Sequence, residues 1–335
     1  MLRISRCKHY RLLNRWKGVL KYRLTYSDLA DLSINSGLYL QLTHKGEFPI
    51  LQPIKSEFFS LEVLSCISLK EVLSPMKLSD FHKYGEELEQ RLRLHTFPLA
   101  IKVLKKGEAI PKEAQRPKKD LGEQLALCQS FAASRREGTV LATLKEDMVC
   151  FEPVVGYGIE EPPELFLQGH NRYPLDVMNL EAGANYAHEF PRLEYGNIGV
   201  LSAPLATSPF QPDAVMIYCN SEQLSLLLLA RECQDGRNLP CNLSSHAACV
   251  YGVIPVIQSG QCHVAIPCRG DRYFYAMAGP DEFIFTVPKS RLEEVIMGFR
   301  HVHESGSRLP REYGKKPAGD KSNYEKIGRM LGMDI

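Results

Sequence analysis

The chain carries ten cysteines, and four of them stand in a repeated setting. Cys128, Gly138 and Cys150 fall on a helix, a break and the end of a strand; Cys249, Gly260 and Cys268 follow the same succession later in the chain. Thiolates are soft ligands. If the two halves pack together, Cys128, Cys150, Cys249 and Cys268 supply the sulfurs that an iron-sulfur cluster or a zinc ion takes. All-thiol ligation favours iron-sulfur. Cys241 and Cys262 are reserve ligands, and nitrogen from His246 or His263 would turn the preference to zinc. The chain has neither a CxxC pair nor a close ferredoxin-like run. A thiol can also be a small buried hydrophobe with no metal at all, which is the reading given to Cys219 and Cys233. Cys7 and Cys66 carry no assignment.

The sharpest polar feature runs from Cys268 through Arg269, Gly270, Asp271 and Arg272. Gly270 permits a close approach, and Arg269 and Arg272 can grip a carboxylate or phosphate, so a small anionic ligand is expected at these three residues. The competing reading is a turn in which Asp271 neutralises an arginine. Ser244, Ser245 and His246 are adjacent, but adjacency does not build a nucleophilic triad. The GxG formed by Gly156 and Gly158 is too common to establish a phosphate loop. Glu160, Glu161 and Glu164 read as a solvated acidic surface. His170, Asn171, Arg172 and Tyr173 form a polar loop with modest ligand-binding potential.

The elements that must position these residues begin near Met76. Phe81, Tyr84, Leu88 and Leu92 recur at helical spacing behind a Ser79 cap. Pro98 to Leu104 reads as a strand, and the lysine- and proline-rich stretch to Lys119 as an exposed loop. Leu121 to Arg135 reads as a helix stopped by Gly138, and Thr139 to Leu144 as a strand. Ile198 to Leu201 and Ala214 to Cys219 are further strands, the latter feeding a helix from Ser221. Ala247 to Ile257 suits a buried or bent helix, and Cys262 to Ile266 a strand. Phe283, Phe285 and Val287 alternate as in a half-exposed strand, and Ser290 caps a last long helix. The expected fold is α/β or α+β: a mixed-sheet globular protein with two related helix-strand halves. Residues 76–305 form the core, as one body or two subdomains, and residues 306–335 a basic tail with a short helix at Tyr324 to Leu331. Residues 1–75, punctuated by Pro49, Pro53 and Pro75, read as a peripheral extension with strand candidates at Leu38 to Leu42 and Phe58 to Leu73.

The whole chain sets bounds on function. A hydrophobic share of 44% and a charged share of 24% over 335 residues match an ordinary globular protein. A net charge of +2 supplies no field for holding nucleic acid. The longest apolar run, 247–257, is far shorter than the roughly 20 residues that span a bilayer. Eight basic residues precede Asp28, with no uninterrupted apolar stretch of the kind a signal peptide needs. A chain this long needs no disulfide scaffold, so reduced thiols in the cytoplasm are expected. The expected partners are the small anion and a redox partner.

The Cys128 helix, the Glu146 to Cys150 segment, Gly156 and Gly158, the Pro212-Asp213 strand entry and the Cys268 to Arg272 turn occur in an order that resembles the ArCR-like family, domain of unknown function 169. The resemblance covers residues from about 80 to 300. It implies a domain boundary and leaves residues 1–75 outside. It adds no reaction.

Overall fold

The computed structural model describes residues 12–16, 19–22, 76–241, 243–307, 309 and 322–333. Met1–Met76 and Lys77–Ile335 separate into two compact units. In the first, β1 (Leu12–Trp16) and β2 (Val19–Tyr22) pair as an antiparallel ribbon. The strand candidates at 38–42 and 58–73 lie outside the described residues.

The second unit opens with α1 (Leu78–Leu92), which buries Phe81, Leu88 and Leu92 on one face. Its cap is Lys77 rather than Ser79, because the Asp80 carboxylate accepts the Lys77 amide at 2.9 Å. Then come β3 (Leu99–Lys105), a π-turn at Pro117–Leu121, α2 (Leu127–Glu137) and β4 (Leu141–Leu144). The short helices α3 (Phe151–Gly156), α4 (Glu164–Leu167) and α5 (Leu180–Glu189) precede β5 (Asn197–Pro204) and β6 (Ala214–Cys219). α6 (Ser221–Glu232) is capped reciprocally: Asn220 accepts the Gln223 amide at 2.9 Å, and Gln223 accepts the Asn220 amide at 2.8 Å. After it stand α7 (Ala248–Tyr251), α8 (Ile254–Ser259), β7 (His263–Ala265), a π-turn at Gly270–Phe274, β8 (Phe283–Pro288), α9 (Leu292–Glu304) and α10 (Ser322–Met330). Among the described residues no helix is long and apolar enough to cross a membrane.

Six strands form one antiparallel sheet in the order β4, β5, β3, β6, β8, β7. The order is symmetric: edge strand, partner and central strand, then the same three in reverse. Ala100 pairs with Val215 at the centre, and these two pair outward with Ala203 and Val287. At the edges Ala142 pairs with Leu201 and Val264 with Phe285. Leu201 and Phe285 each stand two residues before Ala203 and Val287, and Gly138 and Gly260 each stand four before Ala142 and Val264. The registers therefore describe an approximate two-fold axis through the Ala100-Val215 pair. Gly138 and Gly260 close α2 and α8 at φ 78° and 64°, a left-handed turn that favours glycine.

Helices cover both faces of the sheet. One face packs Leu99, Ile101, Met216 and Ile284 against Leu127 and Phe131 of α2, Val154 of α3, Val250 of α7 and Val256 of α8. On the other, α6 and α9 pack on each other and on the central strands; a β-carbon on Gly298 would lie 1.9 Å from the Ala230 carbonyl, so the two helices meet backbone to backbone. With both faces covered, β8 is buried at Ile284, Phe285, Thr286 and Val287, not half-exposed as its alternation predicts. The helix expected from Leu121 starts only at Leu127, because Leu125 is drawn into strand-like pairing: its amide bonds Asp147 at 2.8 Å, and its carbonyl accepts Val149 at 3.1 Å.

Candidate functional site

The two halves meet at their helices, since α2 contacts α7 and α3 contacts α7. That contact brings together the four cysteines singled out from the sequence. Cys128 lies in the first turn of α2, Cys150 caps α3, Cys249 lies in α7, and Cys268 ends the segment after β7. Cys249 and Cys268 belong to the main core, Cys128 to a small cluster with Ala126, Ala132 and Ala276, and Cys150 packs against both. The Leu127 amide donates to the Cys150 sulfur at 3.4 Å, fastening the start of α2 to the start of α3. Cys249 lies within electrostatic reach of Cys128, Cys150, Cys268 and Asp271.

Asp271 lies beside Cys268 and Cys128 in this group and is fully buried, at 0% exposure. Its Oδ2 accepts the Cys268 amide at 2.9 Å, while Oδ1 has no hydrogen bond of ordinary geometry. The Cys128 and Cys268 thiols face the carboxylate closely enough to interact with it. Burial raises the Asp271 carboxyl above its usual range. Burial likewise pushes the Cys268 thiol to about 11 and the Cys150 thiol to about 12, and holds Cys128 and Cys249 well above an ordinary thiol. At neutral pH the four thiols are therefore protonated. A cation or cluster that replaces those protons would have to supply the charge that water does not.

Behind the cluster sits an unforeseen cation. Arg135 of α2 is 1% exposed; it grips Glu282 through two bonds of 2.6 and 3.0 Å and lies 3.8 Å over the Tyr218 ring. Burial raises the Tyr218 hydroxyl, which senses Asp271, Arg135, Cys128 and Cys249. Tyr157 donates to the Cys249 carbonyl at 2.8 Å. Arg136 binds the carbonyls of Ala276 and Met277 at 2.7 and 2.8 Å, holding the segment after the Gly270–Phe274 π-turn onto α2.

Among the described residues, no group of three or more His, Cys, Asp or Glu side chains is drawn tightly enough for a single metal ion. A zinc ion at 2.3 Å from each sulfur would need thiolates about 3.8 Å apart.

The expected anion site divides. Arg272 turns inward, and its three nitrogens reach the carbonyls of Pro267, Gly279 and Glu282. Arg269 remains 60% exposed, with Asp176 at 3.0 Å and the Phe274 ring at 5.3 Å. A β-carbon on Gly270 would meet the Tyr275 ring at 3.4 Å and the Cys268 sulfur at 3.6 Å, ordinary contacts that do not demand glycine. Asp271 pairs with neither arginine of the turn among the described residues; it points at the thiols instead.

The remaining candidates lie apart from the cluster. Cys262 neighbours Arg291 and Arg231, and His263 is a buried strand residue whose Nε2 has no partner. His246 stands edge-on to Tyr186 at 5.3 Å, and it meets Ser244 only through its own amide. Gly158, at φ 65°, serves a backbone crossing: a β-carbon there would lie 2.2 Å from the Glu194 carbonyl. Asp271 had a sequence signal, a carboxylate three residues after a cysteine that closes a local turn. Arg135 had none, because its partner Glu282 lies far along the chain. No curated protein and no solved structure matches the chain. The model of the uncharacterised ArCR family matches residues 87–298, and the chain belongs to that family, domain of unknown function 169.

Proposed function

We propose that the protein is a cysteine-ligated metalloprotein whose centre is an iron-sulfur cluster held by Cys128, Cys150, Cys249 and Cys268. The observation that carries this reading is that three thiols, Cys128, Cys150 and Cys268, and the buried Asp271 all lie within electrostatic reach of Cys249, two thiols coming from each half of the fold. All-thiol ligation is the donor set that favours a cluster over zinc. A bound cluster supplies one-electron transfer. The chain's own part is to exclude water through the apolar packing around Cys128 and Cys249 and to set the local charge through Asp271 and Arg135. A redox partner follows from that chemistry. A small anion has Arg269 open to it, while Arg272 is engaged by carbonyls.

Anaerobic purification tests the reading: stoichiometric iron and labile sulfide with visible absorption are expected. Cys249→Ser should lose the iron, and Cys262→Ser should retain it. Zinc without sulfide would keep the thiol site and refute the cluster. Neither metal in the purified protein would refute ligation. The raised thiols favour a second reading in that event: a non-enzymatic ligand-binding or assembly protein whose cysteines pack its interior.

A further inference from the structure

The surface around Arg269 is apolar and open. Two segments build it: Leu175 and Met178 from one, Tyr273, Phe274, Tyr275 and Met277 from the other, all between 47 and 96% exposed. Arg269 ties the segments together, since it bonds Asp176 at 3.0 Å and lies 5.3 Å over the Phe274 ring. The Tyr275 ring lies against Gly270, the next residue in the chain.

Both segments are held in place. The buried Arg172 also bonds Asp176, at 3.0 Å, so the first is fastened by two arginines. In the second, Arg136 binds the carbonyls of Ala276 and Met277, and the Ala278 amide donates to the Asp271 carbonyl at 2.9 Å. Between these bonds Met277 is kept at φ 47°, a left-handed conformation that residues other than glycine rarely adopt. Such strain persists only where the surroundings impose it, and here it presents a methionine to solvent. An apolar face ordered in advance loses little entropy when it is covered.

Area and charge decide what covers it. At about 200 Å² for a residue of this size, six of them about seven-tenths exposed leave on the order of 800 Å² open. The largest apolar patch of a typical monomer is about 300 to 600 Å², whereas about 800 Å² is one partner's share of a standard interface. The middle of the patch carries a cation and an anion already bonded to each other, Arg269 and Asp176, so two copies of it meet without like-charge repulsion. Among the described residues Arg269 spends one nitrogen on that bond, which leaves its other donors for a small anion within the contact.

We propose that this face joins two copies of the chain in a two-fold dimer, with Met178 and Phe274 in the contact. The contact uses neither thiol nor metal, so it and the cluster fail separately.

Sedimentation equilibrium of the full-length protein from about 1 to 100 μM, in reducing buffer, tests it. A reversible equilibrium between one chain and two is expected. Phe274→Glu and Met178→Glu each bring a charge into the contact twice, once from each copy, and should weaken association at least about tenfold while circular dichroism and Tm stay as in the wild type. Met178 is almost wholly exposed, so its variant reads the contact even if Phe274→Glu does not fold. Met297→Glu, on α9 at the other face of the sheet, should leave the dimer intact. The proposal is overturned if the wild type is a single chain at about 100 μM, or if its assembly is not of two chains. It is also overturned if the Met178 variant associates as tightly as the wild type, or if Met297→Glu alone separates the copies.

Discussion

Glu282→Gln is the most informative single change. Arg135 is almost wholly buried, and its only ion-pair partner among the described residues is the Glu282 carboxylate, 20% exposed, at 2.6 Å. Removing one member of a buried pair leaves the other as an uncompensated charge, at a cost of about 3 to 5 kcal/mol. Partial exposure of Glu282, and the oxygen that glutamine retains, argue for the lower end, about 3 kcal/mol. In a folded unit of this size that lowers Tm by about 6 to 12 °C. Urea unfolding followed by circular dichroism reads the loss directly. The wild type adds a pH signature. Burial works against the Glu282 charge, but Arg135 more than offsets it and holds the carboxyl below 4.5. A depressed acid contributes stability that is present above its unfolded value and is lost as pH falls through the folded one. Glu282→Gln should flatten this acid limb. The Arg135→Met, Glu282→Leu double variant should recover most of the loss, since apolar residues of similar size carry no desolvation penalty. A Glu282→Gln protein within about 0.5 kcal/mol of wild type would refute the reasoning.

Other outcomes follow from the same packing. Gly298→Ala forces a methyl against the Ala230 carbonyl, so α6 and α9 must part; urea denaturation should register a loss of about 1 to 3 kcal/mol. Asn220→Ala removes the α6 cap and should cost about 1 kcal/mol, measurable by the same curve. Burial lowers His263 below 6.5, so the fold favours its neutral form and stability should fall as pH drops beneath that value. His263→Leu also removes an unpartnered buried nitrogen, and thermal melts of this variant should lose that part of the pH dependence.

Local pattern revealed elements wherever local forces decide them. Ala214–Cys219 and the helix from Ser221 were legible to the residue, because an unbroken apolar run meets an Asn cap. The glycine stops at 138 and 260 were legible for the same reason. Leu121 to Ala126 misled because tertiary pairing with Met148 overrides their helical spacing. Phe283 to Val287 misled because a polar residue, Thr286, is buried on the covered face. The four cysteines could be grouped because each half carries one before and one after a glycine stop. Asp271 was signalled locally, three residues after Cys268, whereas its approach to Cys128 and the Arg135–Glu282 pair depend on contacts between distant segments, which spacing does not encode.

The mirrored strand order has a practical corollary. Each copy of the motif brings one thiol on a helix and one beyond its edge strand, so neither copy carries the complete set. Anything that bridges all four must clasp both copies, and by linkage it will resist their separation. A group bound by all four would thus double as a lock on the sheet.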